Sequence, residues 1–510
     1  MPTLSASDLT GLSAIALRRL IGARQLSPVE LLDACIARIE ALNPYVNAIC
    51  ATDFERARAA ARAAEAQVMR GEPLPLLHGL PLGVKDLQDT AGLRTTYGNI
   101  GFRDHLPLAD NGLVARLKRA GAIVTAKTNV PDMGAGANTR NPVWGATGNP
   151  FNPALNAGGS SGGSAAALAV DMLPLCTGSD TGGSLRIPAA LCGVVGLRPS
   201  PGLVANDSRP LGWSVISVLG PMARDVDDTA FLLAASTGFD PADPLSYEPT
   251  QASWPLPEVD LSRLRVGWTE DLGICPVDPV VRRAFRARIG ALAPLVAECE
   301  PVALDLADAD RVFDILRGES FVAAYADTLR EAPETLGPNV RANLDLAAHI
   351  TLADRAWAHL AQTRIARRFA AAQQRFDLIL APVSPVSPFP WTELYAQAVD
   401  GVAARNYYHW LGLTYVVTLA TNPALSLPCG LDEQGMPFGL QMIGRLRGDA
   451  ALLGAARALE AAWQSDPLWR RPRPDAARLT ESTVDLRAIV THPPSAGAGQ
   501  TRQGAAANAV

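Results

Sequence analysis

The sequence is short of most features that would assign it to a specialised class at once. Aromatic residues make up 6% of its 510 positions and charged residues 19%, and 45 Lys and Arg stand against 50 Asp and Glu, a net charge of −5. That balance gives no basic field for a polyanion, and no Lys/Arg run supplies one locally, so nucleic acid is not an expected partner. No apolar run approaches the roughly 20 residues of a bilayer-spanning helix, which sets a membrane aside. The opening Met1-Pro2-Thr3-Leu4-Ser5 lacks the basic and apolar regions of a secretory signal. The seven cysteines (Cys35, Cys50, Cys176, Cys192, Cys275, Cys299, Cys429) form no C-x-x-C pair. They read as the reduced thiols of a cytoplasmic protein. The six histidines show no H-E-x-x-H spacing, so neither a metal nor another cofactor is expected.

What is present is a globular composition, 48% hydrophobic, in a chain long enough for one large domain or two to three ordinary ones. Ser27-Pro28-Val29-Glu30 reads as a capping box with proline at the first helical position. Leu31, Leu32, Cys35, Ile36 and Ile39 then recur at helical spacing, and 55–70 forms a second helix ending at Gly71. From His78 short apolar runs alternate with helices. Leu80–Val84, Ile123–Ala126, Leu173–Thr177, Val266–Thr269 and Leu378–Ala381 are read as strands. Ala424–Leu427 and Phe438–Ile443 flank a hairpin at Asp432-Glu433-Gln434-Gly435, and Asp449 caps a helix to about Trp463. The alternation argues for an α/β sheet with covered faces. Residues 1–75 are expected to be a helical segment on the core, and 76–490 one large α/β domain with 265–410 as a lobe or insertion. A surface connection is expected over 240–262 and a disordered tail over 491–510.

Two glycine-serine segments carry the chemistry: Gly158-Gly159-Ser160-Ser161-Gly162-Gly163-Ser164 and Gly178-Ser179-Asp180-Thr181-Gly182-Gly183-Ser184. Each sits where a loop meets a helix, so free N–H groups of a first helical turn face whatever the loop holds, an anion or a developing oxyanion. A flexible linker has this composition but does not recur twice inside an α/β pattern. A phosphate loop would end in G-K-[S/T], and neither segment does. Gly158–Gly162 formally matches the G-x-S-x-G nucleophile elbow, but the preceding Asn152-Pro153-Ala154-Leu155-Asn156-Ala157 is no apolar strand. Lys85 ends the apolar run Gly79–Val84, where desolvation would lower its pKa toward that of a base. Lys127, after Ile123–Ala126, has the same local look, and spacing alone does not choose between them.

The run Gly159–Ala167, then Gly178–Pro188, Cys192–Pro199 and Gly220–Arg224, resembles the glycine-serine core of the amidase signature family. Gly79–Asp86, Asn422–Gly430 and Gly439–Gly444 extend the resemblance, which covers about residues 8–240 and 410–465. It implies the amidase signature fold, an α/β architecture with a large mixed, mostly parallel central sheet and helices on both faces. It also implies roles. Ser184 corresponds to the nucleophile, Ser160 to the bridging serine after a cis bond from Gly159, and Lys85 to the base. The N–H groups of Thr181, Gly182, Gly183 and Ser184 correspond to the oxyanion hole, with Ser161, Asp180 and Arg186 supporting. By positional analogy Met133, Gly134 and Ala135 line the substrate pocket, with Leu380–Phe389 and Tyr415–Leu419 as the rest of its wall.

The implied activity is hydrolysis of small-molecule amides by a monomer or homodimer. The apolar wall favours a neutral, apolar or aryl acyl group, and carbamates and esters belong to the same family chemistry. The glutamine-hydrolysing subunit of a tRNA-dependent amidotransferase is the alternative. Against it, Leu203-Val204-Ala205-Asn206-Asp207 replaces the tyrosine-containing turn and Ser-Ser-Leu-Asp run expected there. A nucleotide- or phosphate-binding protein is the competing class.

Overall fold

Pro81-Leu82-Gly83-Val84-Lys85 is apolar up to its last residue, which suits a strand with neighbours on both sides and helices on both faces. All five residues are buried in a strand. In the computed structural model, which describes residues 6–252 and 254–487, this strand lies inside a sheet of 11 strands. In chain order they are β1 (Ile49–Thr52), β2 (Pro81–Lys85), β3 (Ile123–Thr128), β4 (Leu175–Asp180), β5 (Val195–Arg198) and β6 (Val218–Ala223). Then come β7 (Arg265–Trp268), β8 (Glu298–Pro301), β9 (Leu378–Pro382), β10 (Ala424–Leu431) and β11 (Pro437–Ile443). Their order across the sheet is β1-β3-β2-β4-β6-β5-β10-β11-β9-β7-β8.

The sheet is mixed, but it is not mostly parallel. Parallel joins are β3–β2, β2–β4, β9–β7 and β7–β8. The joins β1–β3, β4–β6, β6–β5, β5–β10, β10–β11 and β11–β9 are antiparallel. A parallel join needs a crossover of about a dozen residues or more. β10 and β11 are instead joined by the expected tight turn, closed by the Gly435 N–H on the Asp432 carbonyl. β5 and β6, which no long apolar run marks as strands, fill the middle of the sheet and are antiparallel to their neighbours. β8, Glu-Cys-Glu-Pro, closes one edge with charge and proline, residues that resist further strand pairing.

Several helix signals act as read and two do not. Ser27 Oγ accepts from the N–H groups of Val29 and Glu30 at the start of Pro28–Val46. The reciprocal half of the capping box, Glu30 accepting from the Ser27 N–H, is not formed, and the Ser27 hydroxyl donates instead to Glu65 Oε1 at 2.6 Å. Gly71 ends Phe54–Arg70 in the left-handed region. Asp449 opens Asp449–Trp463 without capping it. Its carboxylate accepts from Ser200 N and Oγ at 2.8 and 2.6 Å, tying the helix to the loop after β5. Among the described residues no helix or strand interrupts the chain between Ser236 and Leu261. Leu17, Ile21 and Leu31 of the N-terminal helices share one apolar cluster with Leu82 and Val84 of β2. β7, β8 and β9 extend the main sheet. The tail 491–510 lies outside the described residues. No described helix is long and apolar enough to cross a membrane.

The site follows from one pair of strands. β2 and β4 are adjacent and parallel, so their last residues, Lys85 and Asp180, leave the sheet at the same edge. That edge, outside the carboxyl ends of parallel strands, is where open α/β sheets form a crevice.

Candidate active site

Lys85 is fully buried. Its Nζ donates to Ser160 Oγ at 2.7 Å and to Ser179 Oγ at 2.8 Å. Burial lowers its pKa to about 7, opposed in part by the field of Asp180. The strand register separates the two lysines. Lys127 pairs with Val84, and Lys85 with Thr128, so the two side chains leave opposite faces of the sheet. Lys127 Nζ donates to the Gln88 carbonyl and to Thr90 Oγ1, away from the glycine-serine loops. The end of β2 is braced from below: Thr177 Oγ1 accepts from the Lys85 N–H at 3.0 Å, and Gln88 Nε2 donates to the Gly178 carbonyl at 3.3 Å.

Ser160 precedes the helix Gly162–Ala169, and its peptide bond from Gly159 is cis. Asn152–Asn156 upstream does extend, but in a two-stranded ribbon with Gly148–Asn149 outside the main sheet, so the loop is not a nucleophile elbow. The Ser161 N–H donates to the Ser184 carbonyl at 3.2 Å and joins the two glycine-serine loops. Ser160 and Ser184 line the same cavity. Lys85 to Ser160 is a closed link; among the described residues no hydrogen bond joins Ser160 Oγ to Ser184 Oγ.

Asp180 is the hub of the second loop. It is fully buried and accepts from Arg186 Nε and Nη2 at 3.0 and 2.9 Å and from Arg198 Nη1 at 3.3 Å. Burial alone would raise its pKa, but the two guanidinium groups hold it well below the ordinary carboxylate range. The same carboxylate accepts from the Gly183 N–H at 2.9 Å, while Thr414 Oγ1 donates to the Gly182 carbonyl at 2.6 Å. The peptide between Gly182 and Gly183 is therefore clamped at both ends. This corrects the expected donor set. Gly183 is committed to Asp180, and the N–H groups without a described partner belong to Thr181, Gly182 and Ser184, residues that line the cavity. Only glycine fits at 183, where φ is +122 and an added Cβ would come 2.3 Å from Thr414 Oγ1.

The cavity is small, about 50 Å³. Met133 and Gly134 line it and Ala135 does not, although Ala135 belongs to the same apolar cluster as Leu87, Met133, Phe321 and Tyr325, which do. Gly136 takes its place. Leu380–Phe389 and Tyr415–Leu419 are also absent from the wall. Leu380–Pro382 are buried in strand β9, the segment to Phe389 follows it outside the wall, and Tyr415–Leu419 are buried in the helix Gly412–Ala420, where Tyr415 stacks on Phe313, centroids 4.4 Å apart. The wall comes instead from the helix Ala309–Glu331, through Phe313, Arg317, Phe321 and Tyr325, and from Tyr407 and Tyr408. Sequence reasoning missed this helix. Its signal was there: Phe313, Arg317, Phe321 and Tyr325 follow one another at four-residue steps, a stripe on one helical face with a charge inside it. It also missed Ser179, as the second acceptor of Lys85, and Arg198. Among the described residues no group of three or more His, Cys, Asp or Glu side chains could hold a metal ion.

The family model described as Amidase matches residues 30–453, and the chain belongs to that family, the amidase signature enzymes. The A subunit of the glutamyl-tRNA(Gln) amidotransferase of Roseiflexus sp. (strain RS-1) is 35% identical over 484 residues, covering 88% of this chain and 95% of the relative. An acylamidase of Rhodococcus erythropolis is 33% identical over 476 residues, covering 90% and 97%. Among solved structures, a bacterial aryl acylamidase of the amidase signature family superposes with a TM-score of 0.82 at 27% identity, over 92% of this chain and 98% of that one.

Proposed function

We propose that this chain is a serine amidohydrolase that cleaves the C–N bond of small carboxylic amides through an acyl-enzyme on Ser184. The observation that carries the reading is the buried Lys85 amine, 2.7 Å from Ser160 Oγ and with a pKa brought to about 7 by burial. A serine hydroxyl is a weak nucleophile and needs a base at hand. Neutral Lys85 takes the proton of Ser160 while Ser160 takes that of Ser184. The relay closes when the Ser184 hydroxyl, which holds no hydrogen bond among the described residues, swings onto Ser160.

Ser184 Oγ then attacks the amide carbonyl. The N–H groups of Thr181, Gly182 and Ser184 receive the oxyanion, a contribution of about 3–4 kcal/mol per donor in hydrolases of known mechanism. Run backwards, the relay protonates the leaving nitrogen, which poor amine leaving groups require. Water then cleaves the acyl-enzyme by the same path. Carbamates and esters present the same carbonyl to the same groups.

Of the residues that suggested a neutral acyl group in the sequence, Met133 and Gly134 line the cavity, while Ala135, Leu380–Phe389 and Tyr415–Leu419 do not. The aromatic wall supports a flat or apolar carbon skeleton. A second reading, hydrolysis of glutamine for a tRNA-dependent amidotransferase, is favoured by the likeness to the Roseiflexus protein; activity confined to glutamine or asparagine would establish it. The test of the main reading is direct. Ser184→Ala should abolish hydrolysis of small amides and labelling by a fluorophosphonate, and Lys85→Ala should lower turnover by orders of magnitude, with the fold retained. Wild-type rates in either variant, or a label on another residue, refute it.

A further inference from the structure

Arg317 is the only charged side chain among the described residues that line the cavity. It is 7% exposed, and among the described residues no carboxylate pairs with it. Asp314, one turn earlier, is engaged by Tyr408 Oη at 2.5 Å and His409 Nε2 at 2.7 Å. Asp310 is engaged by Tyr415 and Arg405. The guanidinium lies over Phe321 and Tyr408, 4.7 and 5.2 Å from the ring centroids. Aromatic faces offset part of the desolvation of a cation but accept no strong hydrogen bond from it.

A guanidinium has five N–H donors. Nε donates to Asn343 Oδ1 at 3.0 Å and Nη2 to Tyr407 Oη at 2.5 Å. These bonds fix the plane of the group and leave Nη1 and the second Nη2 hydrogen without a described partner. Asn343 is itself anchored on the Asn339 carbonyl at 2.7 Å, so the fork is held rigid. A buried, unpaired cation with open donors on a cavity wall is costly to keep unless something fills it.

We infer that Arg317 receives a carboxylate on the acyl part of the substrate, which makes the preferred substrate the monoamide of a dicarboxylic acid. The carboxylate binds the free edge of the fork while the carbon skeleton lies against the aromatic wall, with the scissile carbonyl at Ser184. Among the described residues no Asp or Glu lines the cavity, so an α-ammonium beside that carboxylate would find no counter-charge, and glutamine is disfavoured. The inference rests on the amidase reading above.

The test is a set of paired rates on the intact protein. Malonamate, succinamate, glutaramate and adipamate are compared with neutral alkyl amides of matched length and with glutamine. One acid amide should exceed its neutral partner in kcat/KM by about tenfold to a hundredfold, the worth of a hydrogen-bonded charge. Arg317→Met should erase that preference by lowering kcat/KM for the acid amide about tenfold to a hundredfold more than for its neutral partner, and Arg317→Lys should restore part of it. Fluorophosphonate labelling reports whether the variant's site is intact, and the wild-type series decides the matter even if it is not. Equal rates on acid and neutral amides, or a preference for glutamine, overturn the inference and leave the amidase reading standing. Failure to hydrolyse any amide overturns both.

Discussion

Replacing Lys85 by methionine should stabilise the protein near neutral pH while abolishing its chemistry. Burial carries the amine from an ordinary 10.5 down to about 7. Between those two values the unfolded chain holds a proton that the folded one has released, so this group makes stability rise with pH across that window. By linkage at about 1.36 kcal/mol per unit, Lys85 withholds about 4 kcal/mol of stability at pH 7 and only about 1 kcal/mol at pH 9.5. Methionine, of similar length and without a charge to desolvate, removes that penalty. It also removes the bonds to Ser160 Oγ and Ser179 Oγ, each worth about 1 kcal/mol. Both hydroxyls line the cavity, so water can take the place of the amine and the loss is no greater than this. The variant should gain about 2 kcal/mol at pH 7, which for a chain this long is about 2 °C in Tm. The gain should vanish by about pH 9.5. Scanning calorimetry of both proteins at matched scan rates and two pH values measures it, and other titrating groups cancel in the difference. A variant less stable at pH 7, or a difference that ignores pH, refutes the claim that Lys85 sits neutral in the fold.

Two further outcomes follow from the same geometry. Ser179→Ala removes an acceptor that serves the ammonium better than the amine, so the ascending limb of the kcat/KM profile should move from about pH 7 to about half a unit or one unit lower; an unmoved limb excludes Ser179 from setting the base. Gly183→Ala drives a Cβ onto Thr414 Oγ1 and loosens the clamped peptide, so kcat should fall by about a hundredfold or more, with KM changed far less; equal changes in both would mean that the clamp serves substrate binding instead.

The sequence was legible where local chemistry is dense. The glycine-serine loops, the lysine that ends β2, and the Asp180 and Arg186 of the second loop and its following helix are close in sequence or ordered in one motif. Most strands were legible too, because a strand buried on both faces reads as an apolar run. The strands that escaped are short or carry glycine, arginine and proline, as in Val-Gly-Leu-Arg (β5) and Glu-Cys-Glu-Pro (β8), and their pairing is decided by neighbours far along the chain. The substrate wall escaped for a related reason. Phe313 and Tyr407 meet Ser184 only through tertiary packing, and an apolar residue near a motif, such as Ala135 or Leu380, is as well suited to the core as to a pocket. An arginine in the middle of an aromatic stripe has no such double reading, and it was the cue worth following.

The site solves one electrostatic problem in two ways. Burial pushes both Lys85 and Asp180 toward their neutral forms. Asp180 stays ionised because Arg186 and Arg198 face it, and each arginine is anchored elsewhere, Arg186 on Gln441 Oε1 at 2.7 Å and Arg198 on the Ile216 carbonyl at 3.1 Å. Lys85 is given hydroxyls instead of a carboxylate, and hydroxyls stabilise an ammonium far less than an anion does. The carboxylate whose field acts on it, Asp180, is held by the two arginines. If that pairing were loosened, the field of Asp180 would turn onto Lys85 and hold it protonated. The ion cluster thus does two things: it holds the peptide at Gly183 in place and, because two arginines face its carboxylate, Asp180 only partly opposes the lowering of the Lys85 pKa by burial.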